Sequence, residues 1–134
     1  MIIGVPREIK KDEYRVAMMP VGVDLLTGDG HQVLIERGAG LGSGYEDAAY
    51  ADAGAQLVDD KADLFARSEM IVKLKEPQAE EIACFREGQL VFCYFHFAGD
   101  RALTTGCLDS GISAVAFETL SDANGRLPLL TPMS

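Results

Sequence analysis

Residues 90–95, Leu90-Val91-Phe92-Cys93-Tyr94-Phe95, form a nearly unbroken apolar run that restricts the fold more than any other stretch of the chain. The run has the length of a strand rather than a helix, and its Val, Phe and Tyr content agrees. A strand apolar at every position is one buried on both faces, as in a parallel sheet covered by helices. Shorter apolar runs at 2–5, 33–36, 70–74 and 112–117 read as further strands, with residues 56–58 as a weaker candidate. Helical stretches lie between them at 21–26, 47–53, 61–67, 78–85 and 100–109. Gly28, Gly54, Gly88 and Gly111 follow four of these, at positions where helix C-caps sit. Strand alternating with helix predicts an α/β three-layer sandwich with a mainly parallel sheet, Rossmann-like or flavodoxin-like. At 134 residues the chain fits a single domain that needs no staple to form a core.

The formal net charge of −9 argues against a nucleic-acid partner, because an acidic surface repels a phosphate backbone. It also supplies no basic patch for anionic lipid. No apolar run reaches the roughly 20 residues that span a bilayer, and Met1-Ile2-Ile3-Gly4-Val5 lacks the basic n-region and the apolar length of a signal peptide. Cys84, Cys93 and Cys107 are odd in number and lack Cys-x-x-Cys spacing, so no metal site is expected, and a reducing, cytoplasmic setting is. Cys93, inside the apolar run, reads as a small core residue.

In an open parallel sheet, binding residues gather beyond the carboxyl ends of the strands. Three side chains fit that rule. Arg15 lies in the segment after the first strand, and its guanidinium fork suits a carboxylate. By itself it also reads as a solvated surface arginine, and Lys10, Lys11, Asp12 and Glu13 beside it read as a solvated charge run. Lys75 closes the 70–74 run before Pro77 and presents an ammonium to an anion or carbonyl oxygen, or snorkels to water. Lys73 has the same strand phase, so alternation does not choose between them. His96 follows the 90–95 run, where an imidazole exchanges protons near neutral pH or rests hydrogen-bonded in the core. His31 reads as a turn residue. Glu118, at the end of the 112–117 run, reads as a surface carboxylate or a partner for a cation.

Gly38-Ala39-Gly40-Leu41-Gly42-Ser43-Gly44 has no register that yields G-x-G-x-x-G and no Lys-Ser/Thr pair, so it reads as a glycine-rich turn or flexible surface loop. No residue is assigned to cofactor or metal binding. The tail, Leu127-Pro128-Leu129-Leu130-Thr131-Pro132-Met133-Ser134, ends on a serine suited to N-capping a helix, and reads either as an ordinary frayed C-terminus or as a chain cut at a domain boundary.

Taken together, Gly4-Val5-Pro6-Arg7-Glu8-Ile9-Lys10, Tyr14-Arg15-Val16-Ala17, Glu36-Arg37-Gly38-Ala39-Gly40, Gly42-Ser43-Gly44, Lys73-Leu74-Lys75-Glu76-Pro77, Tyr94-Phe95-His96 and the tail resemble the N-terminal, substrate-binding part of alanine dehydrogenase. The proton-translocating transhydrogenase α subunit is related. The resemblance implies NAD-linked oxidative deamination of L-alanine to pyruvate and ammonia. It implies that Arg15 and Lys75 bind substrate and that His96 is the acid/base. It also implies that residues 1–134 form one substrate-binding domain, with the NAD-binding domain absent, so that NAD belongs to the full-length family and is not bound by this chain alone. Three functions follow as expectations: a domain of an enzyme, inactive by itself; a module that binds pyruvate-like acids; or an assembly module. The last would self-associate as a homo-oligomer or partner a separate NAD-binding chain.

Overall fold

Among the described residues six strands pair in parallel throughout, in the order β3-β2-β1-β4-β5-β6. They are β1 (Ile2–Val5), β2 (Gln32–Glu36), β3 (Gln56–Val58), β4 (Met70–Val72), β5 (Leu90–Cys93) and β6 (Ser113–Ala116). The helices are α1 (Pro20–Gly28), α2 (Asp47–Asp52), α3 (Lys61–Arg67), α4 (Ala79–Ile82) and α5 (Arg101–Ser110). This computed structural model describes residues 1–118 and 121–126, so the tail from Leu127 to Ser134 lies outside the described residues. The strand order is the Rossmann one, not the flavodoxin-like 2-1-3-4-5 alternative. The expected mainly parallel sheet is wholly parallel, and residues 56–58 are its edge strand.

Alternation along the strands divides the core. Val5, Val33 and Ile35 face α1 and α2, packing with Val23 and Tyr50. Leu34, Ile71, Val91 and Cys93 face the other way, packing with Leu64 and Phe65 of α3 and with Leu103 and Cys107 of α5. Cys93 is fully buried and Cys107 nearly so, as small core residues, and all three cysteines are free. Gly4 marks the closest approach of β1 to α3: a Cβ there would stand 2.0 Å from Ser68 Oγ. Among the described residues no helix is long and apolar enough to cross a membrane.

Two strands end earlier than their apolar runs. The 70–74 run is strand only to Val72, because the Glu8 carboxylate accepts the amides of Leu74 (3.0 Å) and Lys75 (3.2 Å). The 90–95 run is strand only to Cys93. Beyond it the Glu118 carboxylate accepts the Phe95 amide at 3.1 Å and the His96 amide at 3.0 Å. A buried amide needs a partner, and here side chains supply it in place of the neighbouring strand. Helix α4 also falls short of 78–85: Gln78 and Glu81 form a capping box that opens it. Gly28 lies inside α1, and the left-handed residue is Gly30 (φ 91°), whereas Gly111 (φ 75°) is the expected C-cap of α5.

Candidate functional site

The sheet order reverses between β1 and β4, since the chain winds outward one way through β2 and β3 and the other way through β5 and β6. Crevices in open α/β sheets form at this switch point, beyond the carboxyl ends of the strands. Arg15, Lys75 and His96 follow β1, β4 and β5, three adjacent strands, so all three stand at the same rim.

The loop after β1 carries Glu13, which sequence reasoning places in a solvated charge run. It is instead buried, at 8% exposure. Its carboxylate takes Arg15 in a two-bond fork, Nε at 2.9 Å and Nη2 at 2.8 Å, and also accepts the Arg15 amide at 3.0 Å. Lys75 Nζ stands 3.9 Å from the same carboxylate. Arg15 and Lys75 therefore converge on one anion. The Arg15 hydrogen bonds outweigh burial and hold Glu13 below the usual carboxylate range. Lys10, from the same loop, is no free surface charge either: it pairs with Glu76.

Lys73 and Lys75 share a strand phase but not a fate. Lys73 is buried at 1% exposure and anchored to Glu8 Oε1 (3.0 Å), the Lys75 carbonyl (2.7 Å) and Glu81 Oε1 (3.5 Å). Burial works against its charge, but the Glu81 and Glu8 carboxylates overcome this and raise its pKa. Lys75 keeps its ammonium partly exposed at the rim. Glu8 thus turns the chain after β4 by binding two amides and holds Lys73 inward, which leaves Lys75 to point at the crevice.

His96 has a left-handed backbone, φ 56° and ψ 40°, uncommon for a residue that is not glycine. Glu118 holds it there through the Phe95 and His96 amides. The sequence offers Glu118 two readings, a surface carboxylate or a partner for a cation. The structure gives it a third role, as a clasp on the backbone. The ring stacks on Tyr94 with centroids 5.9 Å apart, and Nε2 stands 3.9 Å from Glu76 Oε2. That oxygen is buried and accepts no hydrogen bond among the described residues. Leu74, Tyr94 and Phe117 form a small buried apolar cluster beside His96, with the Tyr94 and Phe117 rings edge to face at 5.2 Å.

A cleft of about 220 Å³ opens beside Arg15, between the loop after β1 and the glycine-rich turn. Glu8, Glu13, Gly38 and Gly42 help line it, but Lys75 and His96 do not. Within the glycine-rich turn two glycines sit close to neighbours: a Cβ on Gly40 would stand 2.5 Å from the Tyr50 ring, and one on Gly42 2.3 Å from the Tyr14 carbonyl. His31 lies before β2, at the opposite end of the sheet, 3.4 Å from the Met1 amine. No group of three or more metal-ligating side chains occurs among the described residues.

The sheet order, with no dinucleotide glycine fingerprint after its first strand, defines a Rossmann-like α/β domain. The chain belongs to the alanine dehydrogenase/PNT N-terminal domain family, whose model matches residues 4–134. The alanine dehydrogenase of Halomonas elongata is 50% identical over 134 residues, all of this chain and 36% of its own length. A solved L-alanine dehydrogenase superposes with a TM-score of 0.96 at 47% identity, covering 99% of this chain and 37% of that one. The transhydrogenase of Sinorhizobium meliloti follows with a TM-score of 0.83 at 30% identity, over 90% of this chain and 36% of its own. The chain thus spans little more than a third of the length of these relatives.

Proposed function

We propose that this domain binds the substrate of an NAD-linked alanine dehydrogenase, which converts L-alanine, NAD⁺ and water to pyruvate, ammonium, NADH and a proton. The support is the family membership together with the approach of Arg15 and Lys75 to a single carboxylate. In this reading Arg15 binds the substrate carboxylate, and Lys75 shares that carboxylate and polarises the 2-oxo oxygen. His96 takes a proton from the water that adds to the imine, and returns it in the reverse direction. In this reading the buried cluster of Leu74, Tyr94 and Phe117 beside His96 would keep bulk water from one side of the reacting carbon.

The residues present do not fit NAD itself. A dinucleotide's pyrophosphate rests on a tight glycine turn that runs from the first strand into a helix N-terminus. Here residues 6–19 separate β1 from α1, and they carry Glu8 and Glu13 into the crevice. The cofactor, in this reading, is held by residues other than these, and the work of this domain is to hold the substrate and move its proton.

Calorimetric titration of the 134-residue chain with pyruvate tests the reading. Arg15→Ala is expected to weaken binding by roughly 1.5–3 kcal/mol, the range for a charged hydrogen bond. Equal affinity in the two proteins would remove Arg15 from the site.

A further inference from the structure

We propose that Glu76 is the positioning residue for His96: its carboxylate takes the Nε2 edge of the imidazole, so that Nε2 keeps its proton and Nδ1 is the nitrogen that exchanges one with the water. The inference rests on the reading of His96 as the acid/base, and it names the group that aims that base. Glu76 follows Lys75 in the loop after β4, and its carbonyl accepts a hydrogen bond from Gln78 Nε2 at 2.9 Å. Lys10, from the loop after β1, holds its Oε1. Its other oxygen, Oε2, is buried, accepts no hydrogen bond among the described residues and stands 3.9 Å from His96 Nε2.

Three groups restrain His96, and Glu76 is the one that meets a ring nitrogen. Glu118 spends its carboxylate on the Phe95 and His96 amides and so fixes the backbone. Tyr94 stacks on the face of the ring, with the two planes 18° apart. A stacked face looks the same to either nitrogen, so neither restraint chooses between Nδ1 and Nε2. The Glu76 carboxylate does. Burial pushes its pKa up, but Lys10, with a further pull from His96, brings it below the usual carboxylate range, so it is ionised and can only accept. A buried acceptor left without a donor is costly, and the His96 Nε2–H is placed to supply one. The gap exceeds a hydrogen bond by about 1 Å. Bonds between catalytic groups are often long before the ligand arrives and tighten with it. A carboxylate bound to one imidazole nitrogen sets where the proton rests and leaves the other nitrogen to move a proton.

Nitrogen-15 NMR of the His96 ring tests the assignment, in the 134-residue chain with saturating pyruvate at about pH 8, where a histidine ring is ordinarily neutral. The wild type is expected to hold the Nε2–H tautomer. Glu76→Gln is expected to raise the minor Nδ1–H tautomer at least about threefold, and Glu76→Asp to stay near the wild type. Lys10→Met removes the other partner of Glu76 and is expected to leave the tautomer ratio unchanged, which separates aiming of His96 from anchoring of the loop. A wild type in which Nδ1–H predominates would overturn the proposal even if Glu76→Gln does not fold. So would equal ratios in the wild type and a folded Glu76→Gln, or a Lys10→Met that disturbs the ring as much as Glu76→Gln. In these cases the site reading survives, provided that pyruvate still moves the His96 ring signals and Arg15→Ala still weakens binding. Saturating pyruvate that leaves the His96 ring signals unmoved would remove the acid/base reading and the proposal with it.

Discussion

Removing the Glu118 carboxylate is expected to release the left-handed turn at His96, and the structure sets the size of the effect. Two amides depend on that side chain, Phe95 N and His96 N, and Phe95 is fully buried. A hydrogen bond to a charged group contributes about 1.5–3 kcal/mol; because Glu118 is half-buried, the low end for each amide gives about 3 kcal/mol for Glu118→Ala. The left-handed conformation at His96 adds a conformational cost of roughly 1–2 kcal/mol that the clasp now offsets. Glycine bears no such cost. Consequently His96→Gly in the wild type should raise stability by up to about 1 kcal/mol, whereas in the Glu118→Ala background, where the turn is released, it should change stability little. Urea denaturation of the four proteins gives the double-mutant cycle. Amide exchange at Phe95 and His96 reports the same event locally and should accelerate in Glu118→Ala by more than the global stability accounts for. A loss below about 0.5 kcal/mol, with unchanged exchange at both amides, would refute the clasp.

The two lysines that share a strand phase should part in their energetics. Lys73→Met strands Glu8 and Glu81 as buried carboxylates and is expected to cost about 3–5 kcal/mol in urea denaturation, while Lys75→Met, at the partly exposed rim, should cost less than about 1 kcal/mol. Acid stability follows from Glu13 and Glu76. Arg15 holds Glu13 low, and for Glu76 burial pushes upward but Lys10 pulls further down, so both folded pKa values lie below the unfolded one. Their stabilisation is present above the unfolded carboxylate pKa of about 4.3 and is lost as pH falls through the folded values. The urea midpoint should hold from neutral pH to near that point and then decline, and Lys10→Met should make part of the decline disappear.

The architecture was legible because it rests on period and length. An unbroken apolar run such as 90–95 tolerates few environments, and every strand and helix expected from such runs is present within a few residues. The errors at strand ends have one cause. Leu74 and Phe95 are apolar, yet their amides are taken by Glu8 and Glu118, residues 66 and 23 positions away, and no local pattern announces such a bond. Arg15, Lys75 and His96 were legible as polar residues following strands that prove to be adjacent. Glu13 was not, because a carboxylate flanked by Lys11, Asp12 and Arg15 resembles a solvated run until the loop folds it inward. The Glu13-x-Arg15 spacing, which lets one carboxylate fork with a guanidinium in an irregular loop, was the available signal. The choice between Lys73 and Lys75 needed the partners of Lys73, which lie on β1's loop and on α4.

Chemical-shift mapping with pyruvate is the most direct test of the claim that Arg15, Lys75 and His96 serve one ligand. The side-chain signals of Arg15 Nε, the Lys75 ε-methylene and the His96 ring should move together along a single saturation curve. Shifts confined to Tyr14, Gly38 and Gly42 around the neighbouring cleft, with the His96 and Lys75 signals unmoved, would contradict it.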